Sequence, residues 1–223
     1  MKLYMHPVSN TSRPVRLYIH ENKLPVDEQV VDLFTGEHYK QPYIGMNPNH
    51  MVPMLEDGDF RLTESSAILK YLASKFEKPH YPRELKKRAK VDEAMDWFNT
   101  QFYRDYGYGL AYPQMYPHHK RPTDEIHNGT IAWGLKMSQE WFKILDEHWL
   151  NGKDWLCNDE ISIADYFGAC LVTLGEVIRC DFTKYPNVCR WLGNMKHLAT
   201  WEAINEAHHG FIKAVAEQPF QAI

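Results

Sequence analysis

The sequence predicts two domains, an α/β domain with the element order βαβ-ββα followed by an all-α domain. Three observations lead to this prediction. Residues 1–78 alternate short strand-like and helix-like segments, residues 78–84 hold two prolines that interrupt the pattern, and the remaining chain has helical periodicity throughout. We therefore expect an α/β domain over 1–78, a linker over 79–85 and an all-helical domain over 86–223.

The first half of the α/β domain is predicted to be a βαβ unit. The segments KLYMH at 2–6 and EQVVDL at 28–33 are short and apolar, as strands are. Between them, Pro14 stands near a helix start, and Val15, Tyr18 and Ile19 fall on one helical face. The order is therefore strand, helix, strand.

The second half is predicted to be a hairpin followed by a helix. VPMLEDG at 52–58 and FRLTES at 60–65 are short strand candidates around an Asp-Gly turn. In SSAILKYLASKF, hydroxyl side chains open a helix that carries an apolar stripe, and the stripe consists of Ile68, Leu69, Leu72 and Phe76. This completes the βαβ-ββα order.

The all-α domain is predicted to contain helices at about 86–110, 123–150, 162–178, 186–198 and 201–217, from their periodicity and the breaks between them. The helix predicted at 162–178 has the clearest start. Ser162 and Asp165 have the spacing of a capping box, and Ile161 and Tyr166 that of a hydrophobic staple. These features indicate packing and folding, and they carry no chemistry.

Composition excludes several classes of function. The chain is 44% hydrophobic and 24% charged with a formal charge of −4, which gives no basic surface for nucleic acid. No apolar stretch approaches the roughly 20 residues of a membrane helix. The first residues, MKLYMHPVSN, resemble neither a signal peptide nor a transit peptide, so we expect a cytoplasmic protein with no membrane partner.

Cysteine and histidine patterns argue against dithiol and metal chemistry. Residues 1–156 contain no cysteine, and thioredoxin, glutaredoxin and cysteine-type transferase activities all need one. The sequence therefore argues against these three activities. The four cysteines of the last third match no zinc spacing, and we interpret them as buried thiols. The adjacent pairs His118-His119 and His208-His209 lack accompanying ligands, so we expect surface histidines and no metal site.

Two short stretches could hold a ligand. In MVPML, a cis Val52–Pro53 peptide in a turn would leave the main chain of Val52 free to pair with an extended peptide, whereas a trans proline at a strand entrance would carry no such meaning. In LTESSAI, the helix start offers Ser65 and free N–H groups to an anion, and Glu64 offers a carboxylate to a cation. A capped helix with a nearby acid is the simpler alternative.

The segment from Val31 to Leu72 resembles the N-terminal domain of glutathione transferases, chiefly of the theta class, with phi-class similarities in HPVS and GEHYK. The elements NP, VP, DGDF and TESSAIL occur in the family's order, and the similarity continues through YPRELKKRAKVDEAMDW and ISIADY. The resemblance implies a thioredoxin-like N-terminal domain that binds glutathione and a helical domain that binds a small hydrophobic electrophile. It also implies a homodimer with glutathione as cosubstrate and no cofactor.

The resemblance further implies the catalytic residue. Ser9 matches the family's serine, whose hydroxyl donates a hydrogen bond to the glutathione sulfur and so favours the thiolate. Ser12 is the less favoured alternative. Without the resemblance, both serines would be interpreted as helix caps.

The glutathione-binding residues are carried over in the same way. Val52 and Pro53 would pair with the cysteinyl part, and Glu64 and Ser65 would hold the γ-glutamyl end. His38 would lie near the glycyl carboxylate. Met51 stands in this segment where relatives have a lysine or a glutamine, so its side chain would lack their polar contact. The glutathione site is thus predicted to comprise His38, Met51, Val52, Pro53, Glu64 and Ser65.

The electrophile site is less clear. Residues 97–116 contain eight aromatics, which could line an apolar pocket or simply fill a core. Arg104 could act in the site, although a surface salt bridge is the favoured interpretation. We expect a transferase that conjugates the glutathione thiolate to small electrophiles. A dehalogenase or peroxidase variant and a non-catalytic binding or scaffold protein are the alternatives.

Overall fold

The computed structural model describes all 223 residues, and its N-terminal part is a four-stranded mixed sheet with helices. The strands lie in the order β2-β1-β3-β4, with β1 parallel to β2 and antiparallel to β3, and β3 antiparallel to β4. In chain order the elements are β1 (Lys2–Met5), α1 (Ser12–Glu21), β2 (Asp27–Val30), α2 (Tyr43–Met46), β3 (Met54–Asp57), β4 (Phe60–Leu62) and α3 (Ser65–Lys75). The predicted thioredoxin-like βαβ-ββα order is confirmed.

Two local features differ from the prediction. Strand β2 ends at Val30 and does not reach residue 33, because it lies at the sheet edge and its only partner, β1, ends at Met5 opposite Val30. The stretch before β3 contains a 3₁₀ turn, Glu37–Tyr39, and the short helix α2. Elements of three or four residues are too short to show a periodicity in the sequence.

The remaining chain is helical and contains no strand. Its α-helices are α4 (Leu85–Trp97), α5 (Tyr103–Asp105), α6 (Tyr112–Met115), α7 (Asp124–Ile144), α8 (Ile163–Val172), α9 (Leu174–Val177), α10 (Pro186–Lys196) and α11 (Trp201–Ala214). The helix predicted at 86–110 instead runs to residue 115, because the π-helical segments Phe98–Phe102 and Tyr106–Ala111 connect α4, α5 and α6. A third π-helical segment, Leu145–Trp149, extends α7.

The π-helical segment at Tyr106–Ala111 packs very closely against α7. A Cβ atom on Gly134 would lie 2.4 Å from the carbonyl carbon of Gly109, so the two backbones meet where neither residue has a side chain. Insertions of this kind re-aim the side chains around them and are frequent at functional sites.

One hydrophobic core joins the two domains. It includes Leu3 and Ile68 from the α/β domain and Phe102 and Trp191 from the helical domain. The best-specified helix start is confirmed, since the main-chain N–H of Ser162 donates to the Asp165 carboxylate at 2.8 Å. The relative placement of the domains is therefore fixed by continuous packing.

Two expectations about single residues are wrong. His208 is buried, with its Nε2 3.2 Å from the carbonyl oxygen of Thr173, because α11 turns this face onto the core. Cys189 is exposed on α10, although all four cysteines are free thiols as expected. No helix has the length and apolarity needed to cross a bilayer.

Candidate functional site at the start of helix α1

Ser9 lies in the turn that leads from β1 into α1. Its Oγ accepts a hydrogen bond from the N–H of Ser12 at 3.2 Å, and its carbonyl oxygen accepts from the N–H groups of Ser12 and Arg13. The residue thus caps the helix, as its residue type favours. Its hydroxyl proton is not used in this cap, so it remains available to another acceptor.

Thr11, which the sequence analysis did not identify, links three segments of the site. Its hydroxyl donates to the Val52 carbonyl oxygen at 3.0 Å, and its own carbonyl accepts from the Ser65 hydroxyl at 2.7 Å. Its Oγ1 also lies 3.2 Å from the Oγ of Ser9. Since the Thr11 proton points to Val52, Ser9 is the donor in this last contact, and 3.2 Å is long for a bond between hydroxyls.

The Val52–Pro53 peptide bond is cis, which is the first of the two alternatives that the sequence left open. Both residues are buried, and the N–H of Val52 makes no hydrogen bond within the chain. The Met51 side chain is 59% exposed, while its carbonyl is held by the hydroxyl of Tyr43 and the amide of Asn47. The main chain at Val52 therefore faces the site with one free donor.

Glu64 and Ser65 form the start of α3 beside Thr11. Ser65 is buried, whereas Glu64 is exposed and has no salt bridge. Glu64 has a φ of 65°, which is unfavourable for a residue with a side chain. The first N–H groups of α3 have no side-chain cap, so they are open to an anion.

His38 lies at the outer side of this group, in the 3₁₀ turn after β2. Its Nδ1 atom is buried without a hydrogen-bond partner, and its ring packs on Tyr39 with centroids 4.0 Å apart. Burial lowers its pKa, and the neighbouring imidazoles of His50 and His118 act in the same direction. The ring is therefore uncharged at neutral pH.

Asn10 and Arg13, also missed by the sequence analysis, lie behind Ser9. The Arg13 side chain is fully buried and donates to Asn10 Oδ1 at 2.6 Å, to Asn205 Oδ1 at 2.7 Å and to the Cys170 carbonyl at 2.7 Å. These acceptors are neutral. A buried guanidinium without a carboxylate partner is unusual and gives the site a positive potential. Only the pattern Asn-x-x-Arg could have suggested this pair.

Four tyrosines of the helical domain approach the same place. Tyr103 and Tyr112 hydrogen-bond through their hydroxyls, Tyr108 stacks edge-on against both rings, and Tyr116 packs on Tyr112. Burial raises the pKa of Tyr108, and the carboxylate of Glu64 acts in the same direction. In the aromatic stretch 97–116, Tyr108 is exposed and Tyr112 and Tyr116 are half-buried, while the core contains Phe98, Phe102, Tyr103 and Tyr106.

Arg104 does not join this group. Its guanidinium makes two hydrogen bonds of 2.9 Å to the carboxylate of Asp105, and its side chain is largely exposed. Asp105 is buried and also accepts from Trp141, so the pair ties the segment to α7. The favoured interpretation of Arg104 as a surface salt bridge is confirmed.

No group of three or more His, Cys, Asp or Glu side chains is placed so that it could hold a metal ion.

Comparison with known proteins gives the family. The glutathione S-transferase N-terminal domain model matches residues 3–80, and the glutathione S-transferase C-terminal domain model matches residues 112–199. Human glutathione S-transferase theta-1 is 31% identical over 222 residues, which cover 96% of this chain and 90% of the relative. The chain belongs to the glutathione S-transferase family.

Solved structures agree with this assignment. The apo form of human glutathione S-transferase T1-1 has a TM-score of 0.84 at 30% identity, covering 99% of this chain and 92% of its own. A glutathione transferase homologue from Drosophila mojavensis, solved with bound glutathione, has a TM-score of 0.82 at 28% identity and covers 100% and 98%. This glutathione S-transferase therefore has the complete two-domain fold of its relatives, and its cosubstrate is glutathione.

Proposed function

We propose that this enzyme conjugates the thiolate of glutathione to small hydrophobic electrophiles and that Ser9 stabilises the thiolate. The observation that supports this most strongly is the hydroxyl of Ser9 at the start of α1, whose proton points to a weak acceptor 3.2 Å away. A sulfur anion placed beside Ser9 would be a better acceptor than Thr11, and the positive end of α1 would favour the same anion.

The neighbouring groups suit the rest of the tripeptide. Its cysteinyl main chain would pair with Val52, whose N–H is free and whose carbonyl can accept a second hydrogen bond. The γ-glutamyl carboxylate would sit at the uncapped start of α3 with Ser65, and its ammonium group would face the unpaired Glu64. His38 would face the glycyl carboxylate, and Met51 and Pro53 would border the peptide.

The thiolate then attacks the electrophile held by the helical domain. A free thiol has a pKa near 8.5, so lowering the pKa by about two units makes most of it thiolate at neutral pH and corresponds to about 2.7 kcal/mol. One charge-assisted hydrogen bond and a helix terminus are of this order. We assign glutathione to residues 1–78 and the electrophile to residues 86–223, joined by the linker 79–85.

We also propose a homodimer in the cytoplasm. Phe60 on β4 and Ile126 and Trp133 on α7 are large apolar side chains exposed on the single chain. A second copy would cover such surface. Light scattering on a sizing column should give twice the mass of the chain, and a monomer mass would contradict this part of the proposal.

A substrate screen tests the function. The purified chain should accelerate thioether formation between glutathione and at least one of four electrophile classes, namely alkyl halides, nitroaromatics, epoxides and conjugated carbonyls. Hydroperoxide reduction is measured in parallel. Turnover of none of them, with glutathione still bound, would support a binding protein instead and overturn the proposal.

A further inference from the structure

The pairing proposed at Val52 also determines where the glycyl end of the tripeptide lies. Two extended chains pair side by side, so the ends of the ligand fall on opposite sides of Val52. Thr11 joins Val52 to Ser65 at the start of α3, and the γ-glutamyl end is assigned to that side. The glycyl end therefore lies on the other side, towards Met51 and the 3₁₀ turn that contains His38.

Ring contacts bring this 3₁₀ turn against the segment before Val52. The ring of Tyr39 packs on His38 with centroids 4.0 Å apart and edge-on against His50 with centroids 5.5 Å apart. His50 directly precedes Met51. Tyr39 and Met51 thus flank His50, and they are large side chains that are 61% and 59% exposed on the single chain.

The two segments that border this end, residues 32–40 and 41–55, supply one cation, and it is already engaged. The second segment contains no Lys, Arg, Asp or Glu. The first contains two carboxylates, Asp32 and Glu37, and one ammonium group, Lys40. The Nζ atom of Lys40 donates to the carbonyl oxygen of Thr35 at 3.0 Å. The two segments together therefore carry a slightly negative charge, which does not attract a carboxylate.

His38 offers a hydrogen bond at this end and no charge. Its ring is partly buried, and its Nδ1 atom has no partner. Burial lowers the pKa of His38, so the imidazole is neutral at neutral pH. A neutral imidazole has one N–H donor, and this donor can bind the carbonyl oxygen of an ester or an amide.

We propose that Tyr39 and Met51 determine the cosubstrate specificity of this enzyme, which accepts thiols of the glutathione type whose glycyl end is uncharged. Such thiols are the glycyl esters and amides of glutathione. An alkyl ester group would be removed from water against the two exposed side chains, and no ion pair would be lost. The inference rests on the proposed function, because the position of the tripeptide is taken from it.

S-methylglutathione and its glycyl ethyl ester test the proposal, because they differ only in the carboxylate in question. Their binding is measured by calorimetric titration at pH 8, where histidines of ordinary pKa carry almost no charge. The methylated sulfur cannot react, so turnover does not enter the measurement. We expect the ester to bind the wild type at least as tightly as the acid does.

Lysine variants should create the missing discrimination. Met51→Lys should tighten binding of the acid about threefold, which is the strength of an exposed ion pair, and leave binding of the ester unchanged. Tyr39→Lys should act in the same direction, and the double variant should reach about tenfold. A high salt concentration should remove this gain, because it screens exposed charges.

Leu85→Lys is the matched control. It adds the same charge at the first residue of α4, where the side chain is 78% exposed, and both affinities should stay as in the wild type. Thermal unfolding establishes that each variant is folded.

Two results would overturn the proposal: binding of the acid to the wild type more than about fivefold tighter than binding of the ester, or shifts in Met51→Lys and Tyr39→Lys no larger than in Leu85→Lys. In both cases the proposed function would stand, since the acid still binds. A wild type that binds neither compound would instead overturn the assigned glutathione site and the proposed function with it.

Discussion

The two sides of the site at Ser9 differ in how their polar atoms are paired. On the N-terminal side, Thr11 ties Val52 and Ser65 together, and these bonds leave both donors and acceptors for a peptide-like ligand. On the side of Arg13, the oxygen of Asn10 accepts from the buried guanidinium, and the amide nitrogen of Asn10 has no partner. The first pattern suits a tripeptide, whereas the second holds a buried positive charge close to Ser9.

The largest expected effect separates Ser9 from the other serine of the turn. Ser9→Ala should lower kcat/KM by about 100-fold, because it removes a hydrogen bond to the sulfur anion. Ser12→Ala is the matched control and should keep the activity, since its buried hydroxyl only contacts the N–H of His6. Steady-state kinetics with one electrophile decide between them, and an equal loss in both variants would contradict the role of Ser9.

A second prediction concerns His208, which is buried near the charge of Arg13. Burial lowers the pKa of His208 to about 2, and the charge of Arg13 adds to this. The unfolded chain, with a histidine pKa near 6.5, binds more protons below that pH, so stability falls as the pH falls. From about pH 6.5 to pH 5 the free energy of unfolding should drop by about 2 kcal/mol through this residue.

Denaturant unfolding at several pH values measures this loss. His208→Gln should remove this part of the pH dependence. His209→Gln, at the half-buried neighbouring position, should retain it. The same slope in both variants would show that the pKa of His208 is the same in the folded protein as in the unfolded chain, which contradicts the prediction.

The third prediction uses the two ends of α3. Glu64 and Glu77 are both glutamates with a positive φ, one before and one after the helix. Glu64→Gln should weaken glutathione binding about tenfold, which is about 1.4 kcal/mol, because it removes the charge that faces the ligand's ammonium group. Glu77→Gln should bind as the wild type does. Calorimetric titration with glutathione gives both values, and equal affinities would remove Glu64 from the site.

The smallest expected effect concerns the link through Thr11. Thr11→Val keeps the shape of the side chain and deprives the Val52 carbonyl of its donor, so the free energy of unfolding should fall by about 1 kcal/mol. Thr11→Ser keeps the hydroxyl and should be close to the wild type. Unchanged stability of Thr11→Val would mean that the hydroxyl does not hold the two segments together.

The sequence predicts the N-terminal side of the site better than the helical side, for a physical reason. Ser9, Val52 and Glu64 lie at turns and helix starts, where particular residue types have particular main-chain roles. Thr11 escapes notice because its partners, Val52 and Ser65, are 41 and 54 residues away. Contacts of that range depend on the folded sheet and leave no local pattern.

The aromatic stretch of the helical domain shows more clearly what sequence periodicity cannot predict. Phe102 and Tyr103 are neighbours in sequence and both lie in the core, yet only Tyr103 has a polar partner there, the hydroxyl of Tyr112. Periodicity could not separate them, because the π-helical segments change which residues share a face. Arg13 is similar, since a lone arginine after a helix start usually lies at the surface.

The most direct test of the account is the pKa of the glutathione thiol in the complex. Ultraviolet absorbance of the thiolate, followed against pH at saturating glutathione, gives this value for the wild type and for Ser9→Ala. The account predicts a pKa about two units below that of free glutathione in the wild type and a return towards the free value in Ser9→Ala. The same pKa in both proteins would contradict the assignment of Ser9.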